Sequence, residues 1–159
     1  MTPDERKEAR TYAWGYFALH ADQRMKLFNF FLILSGLILG GFPAVRGMAP
    51  GAKAVALLPL LLVLTAFIFW RLEERTRQLV KNGEDALQFL DGQWPAEQLS
   101  DGTPHYLRLF ERDDYLMNAV KKRWWAKWLV PISYADSFRV AYLMMGLVGT
   151  GLAVWVWLA

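Results

Sequence analysis

The chain has 159 residues, with 18 Lys and Arg against 15 Asp and Glu, and it contains no cysteine. That absence excludes disulfides, thiolate catalysis and cysteine-based metal centres. A pI near 9.3 points superficially to nucleic acid, but a mean hydropathy of +0.16 averages two separate chemistries. All fifteen acids lie within 1–26 and 71–139, which leaves three long segments without any charge.

Residues 1–26 form an amphipathic segment. Trp14, Phe17, Ala21, Met25 and Phe28 recur at spacings of three and four, the period of one helix face. Asp4, Glu5 and Glu8 suit the positive end of a helix dipole. No Gly or Pro interrupts the chain between Gly15 and Gly36, so one long helix is expected from about Pro3 to about Gly40. It runs directly into the first uncharged segment, 27–45, with 19 residues. Roughly 20 apolar residues at about 1.5 Å each cross a hydrocarbon core about 30 Å thick, so 27–45 reads as a transmembrane helix. Gly40-Gly41-Phe42-Pro43 and Ala49-Pro50-Gly51 surround the outer loop at 46–53 and read as a tight turn. Residues 54–70 make the second span, with 17 residues.

From Leu72 the apolar positions Leu79, Val80, Ala86, Leu87, Phe89 and Leu90 alternate with a face carrying Glu73, Glu74, Arg75, Arg77, Lys81, Glu84 and Asp85. That is an amphipathic helix continuing out of the second span and stopping near Asp91-Gly92. Gln93–Thr103 reads as a loop, and a further helix is expected over Pro104–Val120, with Leu109, Phe110, Leu116 and Met117 on one side. The block 71–123 is therefore a small helical region. It is too short to bury a large core alone, which favours a homo-oligomer. An interfacial segment, 124–139, leads into the third span, 140–159, with 20 uncharged residues. The fold class is all-α: a polytopic membrane protein with three transmembrane helices and a small helical cytoplasmic region. A signal peptide is disfavoured, because the first apolar run starts at Leu27 and two more follow it.

Arg6, Lys7, Arg10, Arg24 and Lys26 precede the first span, and eleven cations lie between the second and third spans. The loop between the first two holds only Arg46 and Lys53, and no cation follows Arg139. The positive-inside rule then places the N-terminus and 71–139 in the cytoplasm, and the C-terminus outside. No outer domain is expected beyond the third span.

Three groups of residues are candidates for function. His20, Asp22, Gln23, Arg24 and Asn29 form a polar cluster at the mouth of the first span. His20 and Arg24 share one edge of the helix, Asp22 and Asn29 the other. Such a cluster binds an anionic ligand, pairs subunits, latches a gate, or simply anchors the helix among headgroups. Lys121, Lys122, Arg123, Trp124, Trp125, Lys127 and Trp128 alternate cation with indole, as a segment at a lipid interface does. Trp155 and Trp157 would form the matching outer belt. Stacking on nucleic acid uses the same residue types, but the adjacent spans make the bilayer the expected partner and disfavour nucleic acid. Gly36 with Gly40, and Gly146 with Thr150, are small residues at the spacing that lets helices approach closely. No ionisable side chain lies inside a span, which argues against coupled transport and leaves a pore lined by Ser35, Thr65, Thr150 and glycine backbone open. His20 and His105 have no catalytic partner by spacing, so an enzyme is disfavoured, and neither a cofactor nor a metal site is expected.

The stretch Ala-Leu-His-Ala-Asp-Gln-Arg-Met-Lys-Leu-Phe-Asn-Phe-Phe at 18–31 resembles a pattern in small multi-span bacterial membrane proteins, and Ser-Tyr-Ala-Asp-Ser-Phe-Arg at 133–139 is also similar. Some of those proteins resemble the transmembrane effectors of bacterial anti-phage systems, which breach the inner membrane. The resemblance implies a bacterial inner-membrane location and an antiviral effector role. Two functions follow as expectations. One is a homo-oligomeric ion channel or membrane-disrupting effector, switched through its cytoplasmic helices by a cytoplasmic protein or an anionic small-molecule signal. The other is a non-conducting scaffold or accessory subunit that recruits a soluble partner. The charge asymmetry makes a direct prediction. An alkaline phosphatase fusion after Ala159 should be active and an insertion near Ser100 inactive; the opposite pattern reverses the orientation.

Overall fold

The computed structural model describes residues 2–93, 108–121 and 134–159. They form four α-helices and one short 3₁₀ turn: α1 over Pro3–Met48, the turn over Lys53–Ala56, α2 over Leu57–Asp91, α3 over Leu109–Lys121 and α4 over Tyr134–Leu158. No strand occurs among the described residues. Three of the helices, α1, α2 and α4, are long and apolar enough to cross a membrane. The protein is an all-α, membrane-embedded chain, as its composition requires.

The start of α1 is set by a reciprocal cap. Thr2 Oγ1 accepts from the Glu5 amide at 3.2 Å, and Glu5 Oε2 accepts from the Thr2 amide at 2.7 Å. This is the Thr-x-x-Glu capping box, with Pro3 at the first helical position where no amide proton is needed. The helix runs 46 residues, roughly 70 Å at about 1.5 Å per residue. It passes Gly40, Gly41 and Pro43, where a turn is expected, and ends at Met48. In hydrocarbon a freed backbone amide has no water to meet, so continuing the helix costs less than breaking it. Pro43 gives up the bond its missing amide proton would have made and crowds the carbonyl one turn back, yet the helix continues through it. The reversal comes at Gly51, whose φ of +82° is the left-handed conformation that glycine adopts without strain.

The chain divides into two compact units, one drawn from residues 1–21 and 78–132, the other from 22–77 and 133–159. In the first, Ala13, Leu87 and Leu90 are buried, with Ala9, Phe17 and Phe110 packed against them. Gly83 is the point of closest approach there. A Cβ on it would stand 3.0 Å from Phe17 Cβ and 3.1 Å from Phe17 Cα. The ring of Phe110 meets Phe17 edge-on at 5.8 Å. Helix α3 begins at Leu109, because Arg108 is not helical. Of its expected apolar side, Phe110 packs inward while Leu109 and Leu116 are exposed.

The second unit contains the apolar bundle. Phe31, Ala66, Phe138 and Tyr142 form one buried cluster, and Phe42, Val55, Ala56 and Val156 another. Phe28 stacks on Phe138 with ring centres 4.0 Å apart, and Tyr142 meets Phe31 edge-on at 4.6 Å. The tightest crossing is at Gly149, where a Cβ would lie 2.8 Å from the Pro59 carbonyl oxygen and 2.9 Å from Val63 Cγ2. Gly146 has Ala66 nearby, with 3.9 Å left for a Cβ. A Cβ on Gly36 or Gly40 would meet nothing within 4 Å among the described residues. Gly149→Leu is therefore predicted to lower the melting temperature measured in mild detergent. The cost should be about 1–3 kcal/mol, as for an overpacked core. Gly36→Leu should leave the stability of the single chain within experimental error.

Candidate functional site

The buried face of α1 runs Phe28, Phe31, Ser35, Ile38, Phe42, and one turn before Phe28 that same face presents Arg24. The buried face of α2 runs Glu73, Thr76, Val80, Gly83, Leu87, Leu90 at alternating spacings of three and four. Both faces thus carry a charge where an apolar stripe would continue. The two charges answer each other. Arg24 Nε donates to the two Glu73 carboxylate oxygens at 2.9 and 3.1 Å, and Arg24 Nη2 also donates to Oε1. The Glu73 side chain is 3 % exposed and that of Arg24 14 %. The guanidinium carbon sits 5.2 Å from the Phe138 ring centre, so α4 covers a pair made between α1 and α2. A two-point, planar pair of this kind is among the stronger charge-assisted interactions. Next to it, Arg139 Nη2 donates to Glu74 Oε1 at 2.6 Å, and Thr76 Oγ1 donates to the Leu72 carbonyl at 2.6 Å. Ion pairs therefore tie α2 to both α1 and α4 at the same end of the bundle.

Sequence reasoning found Arg24 and missed its partner. Glu73 stands among seven charged residues taken as one solvated face, and nothing in a periodic count separates it from Glu74. Its distance from the span is the available signal: Arg24 lies three residues before 27–45 and Glu73 three after 54–70.

The other residues of the expected cluster have different surroundings. Asp22 pairs with Lys26 along the helix at 2.7 Å, and both are exposed. Gln23 and Asn29 are exposed. His20, in the first unit, meets the Tyr16 ring edge-on at 4.4 Å. Of the expected stripe, Phe17 and Phe28 pack inward while Trp14 and Met25 are exposed. Glu73 leaves the charged face of α2 for the buried one, because Arg24 supplies it with a partner, and Phe89 leaves the apolar face at 70 % exposure. The pore-lining set also divides: Ser35 and Thr65 are buried, whereas Thr150 is exposed and donates to the Gly146 carbonyl at 2.9 Å. Lys122, Arg123, Trp124, Trp125, Lys127 and Trp128 lie outside the described residues, and Lys121 is described only as the end of α3.

The first unit holds a second ion pair and an open groove. Arg10 Nη2 lies 3.0 Å from Asp91 Oδ1. Burial pushes the Asp91 carboxyl above its ordinary value, against the opposing pull of Arg10 and Arg108. The groove, about 440 Å³, has Tyr12, Tyr16, Asn82 and Phe89 in its walls. No group of three or more metal-ligating side chains occurs among the described residues.

A protein of Escherichia coli, CD-NTase-associated protein 19, is 34 % identical to this chain over 157 residues, covering 95 % of this chain and 92 % of the relative. The chain belongs to the CD-NTase-associated protein 19 family. No family model matches it, and no solved structure does.

The buried pair yields a stability prediction. Removing one partner strands a buried charge, which costs about 3–5 kcal/mol, whereas removing both costs less. Arg24→Ala and Glu73→Ala should each lower the thermal midpoint in detergent by more than the double variant does. Equal and additive losses would mean that the two side chains do not act as a pair.

Proposed function

We propose that this chain is the transmembrane effector of a bacterial anti-phage system. In this reading it is a homo-oligomer in the inner membrane that opens a conducting path when its cytoplasmic helices receive an anionic, nucleotide-class signal. Family membership supports the setting. The relative's name ties it to a CD-NTase. The three apolar helices supply the membrane part, and the basic segments around Arg24 and Arg139 are assigned to the cytoplasm by the positive-inside rule.

The observation that carries the proposal is the Arg24–Glu73 pair. Helices α1 and α2 each continue from an apolar span into a polar segment, and the pair joins them where that change occurs. A phosphate and the Glu73 carboxylate can compete for one guanidinium, since both accept its two parallel N–H donors. A signal that binds Arg24 more strongly once Glu73 has let go shifts the helices to the released state, because a ligand moves an equilibrium only by its differential affinity. The exposed, glycine-bearing face of α1, with Gly36 and Gly40 open, is the surface assigned to contacts between subunits.

Purified chain reconstituted in a planar bilayer should show step conductance. Glu73→Gln, which frees Arg24, should raise the basal open fraction at least several-fold. Arg24→Ala should be unresponsive to the triggering nucleotide, and Arg24→Lys should not restore the response. Light scattering with the detergent mass subtracted should give an oligomer that Gly36→Leu weakens. A monodisperse monomer without conductance would instead support the scaffold that recruits a soluble partner.

A further inference from the structure

The bundle end farthest along the chain from Arg24 carries charge of one sign. Arg46 sits in the last turn of α1 and Lys53 opens the 3₁₀ turn. No carboxylate side chain occurs between Asp22 and Glu73 or after Asp136, so neither cation has a side-chain anion near it in sequence. Each is held on an indole of α4 instead. The Arg46 guanidinium carbon is 5.4 Å from the Trp155 ring centre, and Lys53 Nζ is 5.0 Å from that of Trp157. The two tryptophans flank Val156, which is buried with Phe42, Val55 and Ala56.

Arg46 is only partly buried. Its Nη1 is shut off from solvent, so a ligand can meet only the rest of the guanidinium edge. An indole face satisfies the π-face of a guanidinium and leaves its N–H edge for another partner. At the depth where tryptophan rings collect, the abundant acceptor is the phosphodiester of a lipid headgroup, whose oxygens match the guanidinium edge with two parallel bonds.

We propose that Arg46, seated on Trp155, binds the headgroup phosphate of an anionic phospholipid at this membrane face. Lys53 on Trp157 adds a second positive charge to the same interface and sets the preference for anionic over zwitterionic lipid, since no carboxylate side chain offsets either cation. The site does not depend on whether the bundle conducts, because it uses none of the residues at the Arg24 end.

The test uses the full chain in mild detergent, washed free of lipid, and then titrated with phosphatidylglycerol, phosphatidylcholine or inorganic phosphate. Native mass spectrometry counts the retained lipid and the thermal midpoint reports its effect. Phosphatidylglycerol should be retained and raise the midpoint by several degrees, phosphatidylcholine should do so more weakly, and inorganic phosphate should do neither. Arg46→Gln should weaken phosphatidylglycerol retention about tenfold, with Arg46→Lys intermediate. Lys53→Gln, a change in an exposed turn, should narrow the preference for phosphatidylglycerol even if Arg46→Gln fails to fold. Lys26→Gln, at the other end, should change nothing. Unchanged retention in both Arg46→Gln and Lys53→Gln would overturn the site, an equal effect of phosphatidylcholine would overturn the anionic preference, and an equal effect of inorganic phosphate would assign the site to a soluble anion.

Discussion

A guanidinium and a carboxylate buried against each other, each three residues outside an apolar span, decide how α1 and α2 face one another. Hydrophobic burial cannot do this alone in a membrane, because lipid tails solvate a leucine as well as another helix does. Register between spans must come from shape or from polar groups. Arg24 and Glu73 provide the polar contribution, and their two-point geometry tolerates little rotation of either helix. Phe138 over the guanidinium and Arg139 on Glu74 bring α4 to the same level. The stacked and edge-on rings of Phe28, Phe31, Phe138 and Tyr142 then pack in the turns beneath.

The two ends of this unit use opposite electrostatics. At one end Arg24 and Arg139 each have a carboxylate partner. At the other end Arg46 and Lys53 each sit on a tryptophan ring. Internal ion pairs make a region whose stability depends on internal partners and can be altered by a competitor for those partners. Cations without a carboxylate side chain near them in sequence make a region open to neutralisation from outside the chain.

The three spans and the all-helical class were legible because charge exclusion over 17 to 20 residues has few other physical causes. The place where α1 ends was not, because glycine and proline are read as breakers on rules learned in water. Hydrocarbon raises the cost of an open backbone, so the helix continues past Pro43 to Met48. The buried faces were misassigned where they include charge. Counting apolar residues selected Trp14, Met25 and Phe89, all exposed, and passed over Glu73, which is buried. Packing glycines show the same limit. Gly36 and Gly40 fit a spacing pattern and have open space where a Cβ would stand among the described residues, whereas Gly83 and Gly149 make close crossings. Which glycine faces a neighbour is fixed by the register of the two helices it lies between, which a spacing count within one helix does not contain.

The continuity of α1 and α2 through the level of Arg24 and Glu73 limits what kind of movement a signal can cause. A helix cannot bend sharply without a proline, a glycine or serine pair, or an inserted side chain, and residues 22–34 of α1 contain no proline, glycine or serine. Loss of the ion pair therefore leaves rotation or tilt of this stretch of α1 as the available response within the second unit. Rotation would move the exposed Gly36–Gly40 face of α1 relative to any neighbouring copy, and tilt would change how the span fills the bilayer. The Gly149 crossing on Pro59 and Val63 holds α4 to α2 independently of Arg24. Displacing α1 would also have to break its ring contacts with α4, Phe28 on Phe138 and Phe31 on Tyr142.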